Sequence, residues 1–156
     1  MTLAAFNAAP ADEAVAAMLA CCASPRFARA MADGRPYPST AAAIAAVDAA
    51  FASMGWADVL EGMSGHPRIG DRVSGRSAVE QSGVTDASRA AFAAGNAAYE
   101  DRFGHVFLIF ASGRSGDELL AALEQRLSHT PDIERSVAAA ELRMITRLRV
   151  GNALPA

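Results

Sequence analysis

Alanine pervades this chain, and at intervals of about one helix length it is interrupted by residues that start helices and residues that stop them. Alanine loses no side-chain entropy in a helix and offers a strand little to pack, so this pattern favours helices throughout. Ser24-Pro25 supplies an N-cap followed by proline at the first helical position, where its missing N–H is no loss, and Gly34 offers the stop. Ser39 or Thr40 caps a helix ending near Gly55, and Trp56–Met63 makes a short one. Asp86 caps a helix that runs to Phe103 and stops at Gly104, and Ser115 opens another reaching Ser128. Thr130-Pro131-Asp132 starts the last helix, expected to run to Val150 with Gly151 as terminator. With a first helix over 12–22, the spacing predicts an all-α, irregular bundle of about seven or eight helices, forming one domain over residues 1–156. Two stretches read differently. Residues 106–110 suit a strand or a buried helical turn, and the glycine-rich stretch 64–84 reads as a long connection of the kind that carries function.

Composition narrows the function classes. Of 156 residues 52% are hydrophobic, and 14 Lys and Arg face 17 Asp and Glu for a net charge of −3. That balance excludes disorder, a collagen-like chain and a basic nucleic-acid-binding surface. A chain of this size buries roughly 70% of its unfolded surface and needs no disulfide or structural metal. Cys21 and Cys22 are sequence neighbours, which rarely pair, and they form no zinc-ligand spacing, so a reducing cytoplasm is expected. The first twenty residues hold no Lys or Arg and contain Asp12 and Glu13, so they are read as part of the fold. The most apolar run, 106–111, falls far short of the about 20 residues a membrane helix needs.

His66-Pro67-Arg68-Ile69-Gly70 is the most informative stretch. Pro67 keeps His66 out of the helical region and the flanking glycines permit sharp turns, so the imidazole is presented from a constrained loop. Histidine's ordinary pKa of about 6.5 suits general acid–base work near neutrality, although a loop histidine also serves as a surface or capping residue. Ser77 followed by Glu80 has capping-box spacing. The alternative places Glu80 and Gln81 together at one rim of a pocket, a carboxylate beside an amide. In the last helix Arg149 lies about 20° from Leu142 on the apolar stripe that includes Ile145, whereas Arg147 lies about 140° away. Arg149 therefore offers either a fork for a carboxylate or a fixed ion pair near the helix C-terminus. Arg143 and Arg147 read as solvated. Asn96, Tyr99 and Phe103 form a packing stripe that ends at Gly104. No two of His66, His105 and His129 have metal-ligand spacing, and no serine elbow is present.

Taken in order, these segments resemble the OHCU decarboxylase family. The resemblance runs through Arg35-Pro36-Tyr37, Trp56, His66-Pro67-Arg68-Ile69-Gly70, Ser77 with Glu80-Gln81, Asn96-Ala97-Ala98-Tyr99-Glu100, Phe103-Gly104 and Arg147-Leu148-Arg149. It implies cofactor-independent decarboxylation of 2-oxo-4-hydroxy-4-carboxy-5-ureidoimidazoline to (S)-allantoin in urate breakdown. Position by position it implies His66, Glu80 and Arg149 as catalytic residues. Pro67, Ser77 and Gln81 are the implied substrate-binding residues, completed by backbone groups of the 103–109 stretch, Phe107 and Ile109 among them. A homodimer with a small-molecule substrate, and no metal, membrane or nucleic acid, is expected on the same basis. This chain departs from the family's Phe-Gly-Phe-Pro-Phe at Phe103-Gly104-His105-Val106-Phe107. Two other readings of the same residues are a related lyase acting on another ureido or imidazole acid, and a helical binding module without catalysis.

Overall fold

Serine side chains set three of the helix starts that the spacing predicts. In a computed structural model of the chain, describing residues 1–71 and 75–156 with the side chain at 77 left out, Ser24, Ser39 and Ser115 each accept a hydrogen bond. Their donors are the N–H groups of Phe27, Ala42 and Glu118, at 3.4, 3.1 and 3.2 Å. The helices are α1 (Leu3–Ala8), α2 (Ala11–Leu19), α3 (Pro25–Asp33), α4 (Thr40–Ala52), α5 (Trp56–Met63), α6 (Gly75–Glu80), α7 (Arg89–Phe103), α8 (Gly116–Leu127) and α9 (Pro131–Ala153). A single 3₁₀ turn, Asp86–Ser88, precedes α7, and no strand occurs among the described residues.

The structure corrects several boundaries. The expected first helix over 12–22 ends earlier, at Leu19, and a separate α1 precedes it; extended Pro10 divides the two, and Thr2 caps α1. Asp86 opens the 3₁₀ turn rather than α7 itself. The long connection contains α6, so Ser77 is its third residue and cannot be its N-cap. Residues 106–110 form neither strand nor helical turn. Gly151 does not terminate α9, which continues to Ala153. Its lack of a side chain serves packing, because an added Cβ would meet Ile44 Cδ1 at 3.1 Å.

The chain divides into two compact units, residues 1–65 with 142–156, and residues 66–141. In the first, Phe6, Met18, Phe27, Met31, Val47, Leu142 and Leu154 are fully buried. Arg35 ties the helix ends of this unit together. Its Nη1 donates to the carbonyls of Phe6 and Ala9 and its Nε to that of Ala32, each at 2.7 Å, with the guanidinium over the Phe6 ring. The Arg35-Pro36-Tyr37 motif is thus a clamp on the ends of α1 and α3, and the Arg35–Pro36 bond is cis. In the second unit α7 and α8 enclose a cluster of Ile69, Phe92, Tyr99, Phe107, Ile109, Ala111, Leu119 and Leu123.

Candidate active site

One stripe of α7 holds the loop that presents His66. Arg89, Phe92, Asn96 and Glu100 recur at helical spacing and so share a face. Each meets the loop. Glu100 takes the Arg68 guanidinium through both oxygens, at 2.6 and 3.2 Å. Asn96 Nδ2 donates to the Ile69 carbonyl at 2.8 Å, and Arg89 Nη1 to the Gly70 carbonyl at 2.6 Å. Ile69 itself is buried in the cluster. Gly70 has φ +90°, a conformation that suits glycine, and its Cα lies so near Phe92 that an added Cβ would stand 2.7 Å from that of Phe92. Three successive residues after Pro67 are therefore fixed on one helix, and His66 and Pro67, both half-buried, lead into that fixed stretch.

Gln81 closes the other side of the loop. It is 8% exposed, and its Oε1 accepts from the Gly70 N–H at 3.2 Å. This bond brings the end of α6 to the histidine loop, and half-buried Glu80 is the residue just before it. The side chain of Ser77, the remaining expected member of this group, lies outside the described residues. Asn96 and Arg89 were not marked as site residues in the sequence. The available signal is the i, i+4 placement of Asn96 and Glu100; the packing-stripe reading assigns Asn96, with Tyr99 and Phe103, to the core. Tyr99 and Phe103 do pack together there, their rings 4.7 Å apart.

Phe107 and Ile109 are buried, so their side chains belong to the core and only their backbone groups suit a ligand. Beneath Phe107 lies a buried charge cluster. Arg126 sits with its guanidinium 4.6 Å from the centre of the Phe107 ring and donates through Nε to Glu134 at 2.7 Å, and through Nη2 as well. Glu134 also accepts from the Tyr99 hydroxyl, and His129 Nδ1 stands 2.9 Å from its second oxygen. Burial alone pushes the Glu134 carboxyl up, but the hydrogen bonds from Arg126, Tyr99 and His129 outweigh it and hold the group below its ordinary value. Burial, then the bond to Glu134, pushes the Tyr99 hydroxyl well above its ordinary value. An ionised Glu134 thus forms the centre of a paired, buried network.

Arg149 belongs to the other unit. It is 8% exposed, on the same side of α9 as buried Leu142 and Ile145, as helical spacing requires. Burial pushes the neighbouring Cys22 thiol up, while hydrogen bonds to Ser24 and Thr146 and the positive charge of Arg149 act in the opposite direction. Arg143 and Arg147 are not simply solvated. They share Asp48, with Arg147 also reaching the Ile44 carbonyl. Among the described residues no three His, Cys, Asp or Glu side chains are placed to hold a metal ion, and no helix is long and apolar enough to cross a membrane.

Residues 7–151 match the family model for OHCU decarboxylase. The chain is 38% identical over 142 residues to the uric acid degradation bifunctional protein TTL of Arabidopsis thaliana, covering 83% of this chain and 44% of that protein. It is 40% identical over 55 residues to 2-oxo-4-hydroxy-4-carboxy-5-ureidoimidazoline decarboxylase of Amia calva, covering 35% of this chain and 31% of that one. The matches thus span less than half the length of these curated relatives. A crystal structure of OHCU decarboxylase in the presence of (S)-allantoin superposes with a TM-score of 0.76 at 34% identity, covering 86% of this chain and 94% of that one. The crystal structure of (S)-allantoin synthase, at 22% identity and a TM-score of 0.74, covers 99% of this chain and 54% of that one and shares the fold.

Proposed function

The chain belongs to the OHCU decarboxylase family, and on that premise we propose that it converts 2-oxo-4-hydroxy-4-carboxy-5-ureidoimidazoline to (S)-allantoin and carbon dioxide in urate degradation. The reaction breaks the bond between the carboxylate carbon and the ring carbon. The electron pair left behind passes into the neighbouring ring imine, whose nitrogen takes a proton, so the substrate is its own electron sink and needs no added cofactor. The hydroxyl proton then leaves as the carbonyl forms, and a proton arrives on the carbon bearing the ureido group. The face on which it arrives determines the handedness of the product.

His66, Glu80 and Arg149 are the proposed catalytic residues. His66 takes the hydroxyl proton and directs reprotonation, Glu80 orients the ureido and ring N–H groups, and Arg149 holds an anionic or carbonyl oxygen. Pro67, Ser77 and Gln81 bind substrate, together with the backbone around Phe107 and Ile109. The observation that carries this reading is the clamping of residues 68–70 onto α7 and Gln81, which gives His66 a rigid base. A cytoplasmic homodimer that binds this small molecule and no nucleic acid completes the proposal, supported by the family resemblance and by two buried, unbridged cysteines.

The test generates substrate freshly with urate oxidase and hydroxyisourate hydrolase and follows circular dichroism at an allantoin-sensitive wavelength. Wild-type protein should give optically active product rapidly, and His66→Ala should not. Slow racemic product from folded wild-type protein would reject this substrate.

A further inference from the structure

Residues 106–111 run without turn or bend between α7 and α8. Phe107, Ile109 and Ala111 enter the same apolar cluster while Leu108, equally buried, is not among its members. A period of two is the mark of extended chain, in which alternate residues also turn their backbone N–H and C=O groups to opposite edges. Leu108 and Phe110 therefore face one edge, and Phe107 and Ile109 the other. With no neighbouring strand among the described residues, one acceptor and one donor of the Leu108–Phe110 edge are met by side chains. The Arg126 guanidinium donates through Nη1 to the Leu108 carbonyl, and the Phe110 N–H donates to Glu141 Oε2 at 2.8 Å. A cation meets the acceptor and a carboxylate meets the donor, as a paired strand would do in register. Arg126 is itself locked by Glu134, so this edge is fixed at two points from α8 and α9.

We propose that Arg126 and Glu141 are positioning residues for substrate, acting by pinning the Leu108–Phe110 edge so that the Phe107 and Ile109 backbone groups are held toward the ligand. This rests on the functional reading above, in which those backbone groups bind substrate. Glu141 is the better residue to test, since it is only half-buried, whereas Arg126 is a buried partner of Glu134 whose removal threatens folding.

Glu141→Ala removes the acceptor of the Phe110 N–H, and Glu141→Gln keeps one in nearly the same place. Loss of register on the binding edge weakens substrate and transition state alike. Glu141→Ala should therefore raise KM about tenfold with kcat changed less than about threefold, while Glu141→Gln stays within about twofold of wild type. Amide hydrogen exchange gives a readout independent of turnover. Phe110 should lose protection in Glu141→Ala and keep it in Glu141→Gln. A purely structural role would lower the active fraction, and so the apparent kcat, with KM unmoved; that outcome, or failure of the Gln variant to rescue, overturns the inference. Folded wild-type protein that does not decarboxylate the substrate would overturn the functional reading and this one with it, whereas an active wild type with an unchanged KM in Glu141→Ala overturns this one alone.

Discussion

Gly70→Ala should disable the histidine loop, and the structure separates the cost into two parts. The first is conformational. Gly70 has φ +90°, where an alanine Cβ crowds its own backbone at about 1–2 kcal/mol. The second is steric. The new Cβ would lie 2.7 Å from Phe92 Cβ and 3.2 Å from Phe92 Cγ, and Phe92 is fully buried, so the ring cannot withdraw and the loop must move. Overpacking of this kind costs about 1–3 kcal/mol. Together the two predict about 2–5 kcal/mol, which for a chain of this length lowers the melting temperature by roughly 4–20 °C. Gly104→Ala isolates the first part, because Gly104 has φ +76° with nothing within 4 Å of an added Cβ. Thermal melts followed by circular dichroism on both variants, with decarboxylation rates at 25 °C, make the comparison. Gly104→Ala should lose only about 1–2 kcal/mol, and Gly70→Ala should lose more, with a fall in rate while still folded. Equal melting temperatures in the two variants, or wild-type turnover in Gly70→Ala, would refute the argument that contact with Phe92 determines where the loop sits.

The two arginines of α9 should differ sharply. Arg149→Ala should lower turnover roughly 30- to 1000-fold, the ~2–4 kcal/mol of a lost transition-state contact. Arg147→Ala, which loses a half-exposed pair with Asp48, should change stability by about 0–1 kcal/mol and turnover by less than about twofold. Both are read in the same coupled dichroism assay. Glu134→Gln should destabilise by about 3 kcal/mol in urea titrations at pH 7, because the buried Arg126 guanidinium loses its counter-charge. The pH dependence follows from the lowered Glu134 pKa. Its stabilisation is fully present above the ordinary value of 4.5 and is lost as the pH falls through the lower folded value, so acid unfolding should be less steep in Glu134→Gln than in wild type. Tyr99 has the opposite sign. Its raised pKa stabilises below the ordinary value of 10.0 and loses that contribution in strong alkali, so Tyr99→Phe should flatten the alkaline limb.

Helix starts, the all-α class and the inward face of Arg149 were legible because each depends on local chemistry. A serine reaches an N–H three residues on, and residues seven apart share a helix face, whatever surrounds them. The sequence alone therefore determined most of the helices and the order of motifs that marks the family. What it could not determine depended on groups distant in the chain. Gly151 reads as a stop until Ile44 is seen against it, and Asn96 reads as core until the Ile69 carbonyl is seen to need its amide. Residues 106–111 have the composition of a strand, but a strand requires a partner ladder. Only the tertiary structure places a guanidinium and a carboxylate where that ladder would be, because hydrogen-bond partners for an extended chain come from wherever the fold brings them.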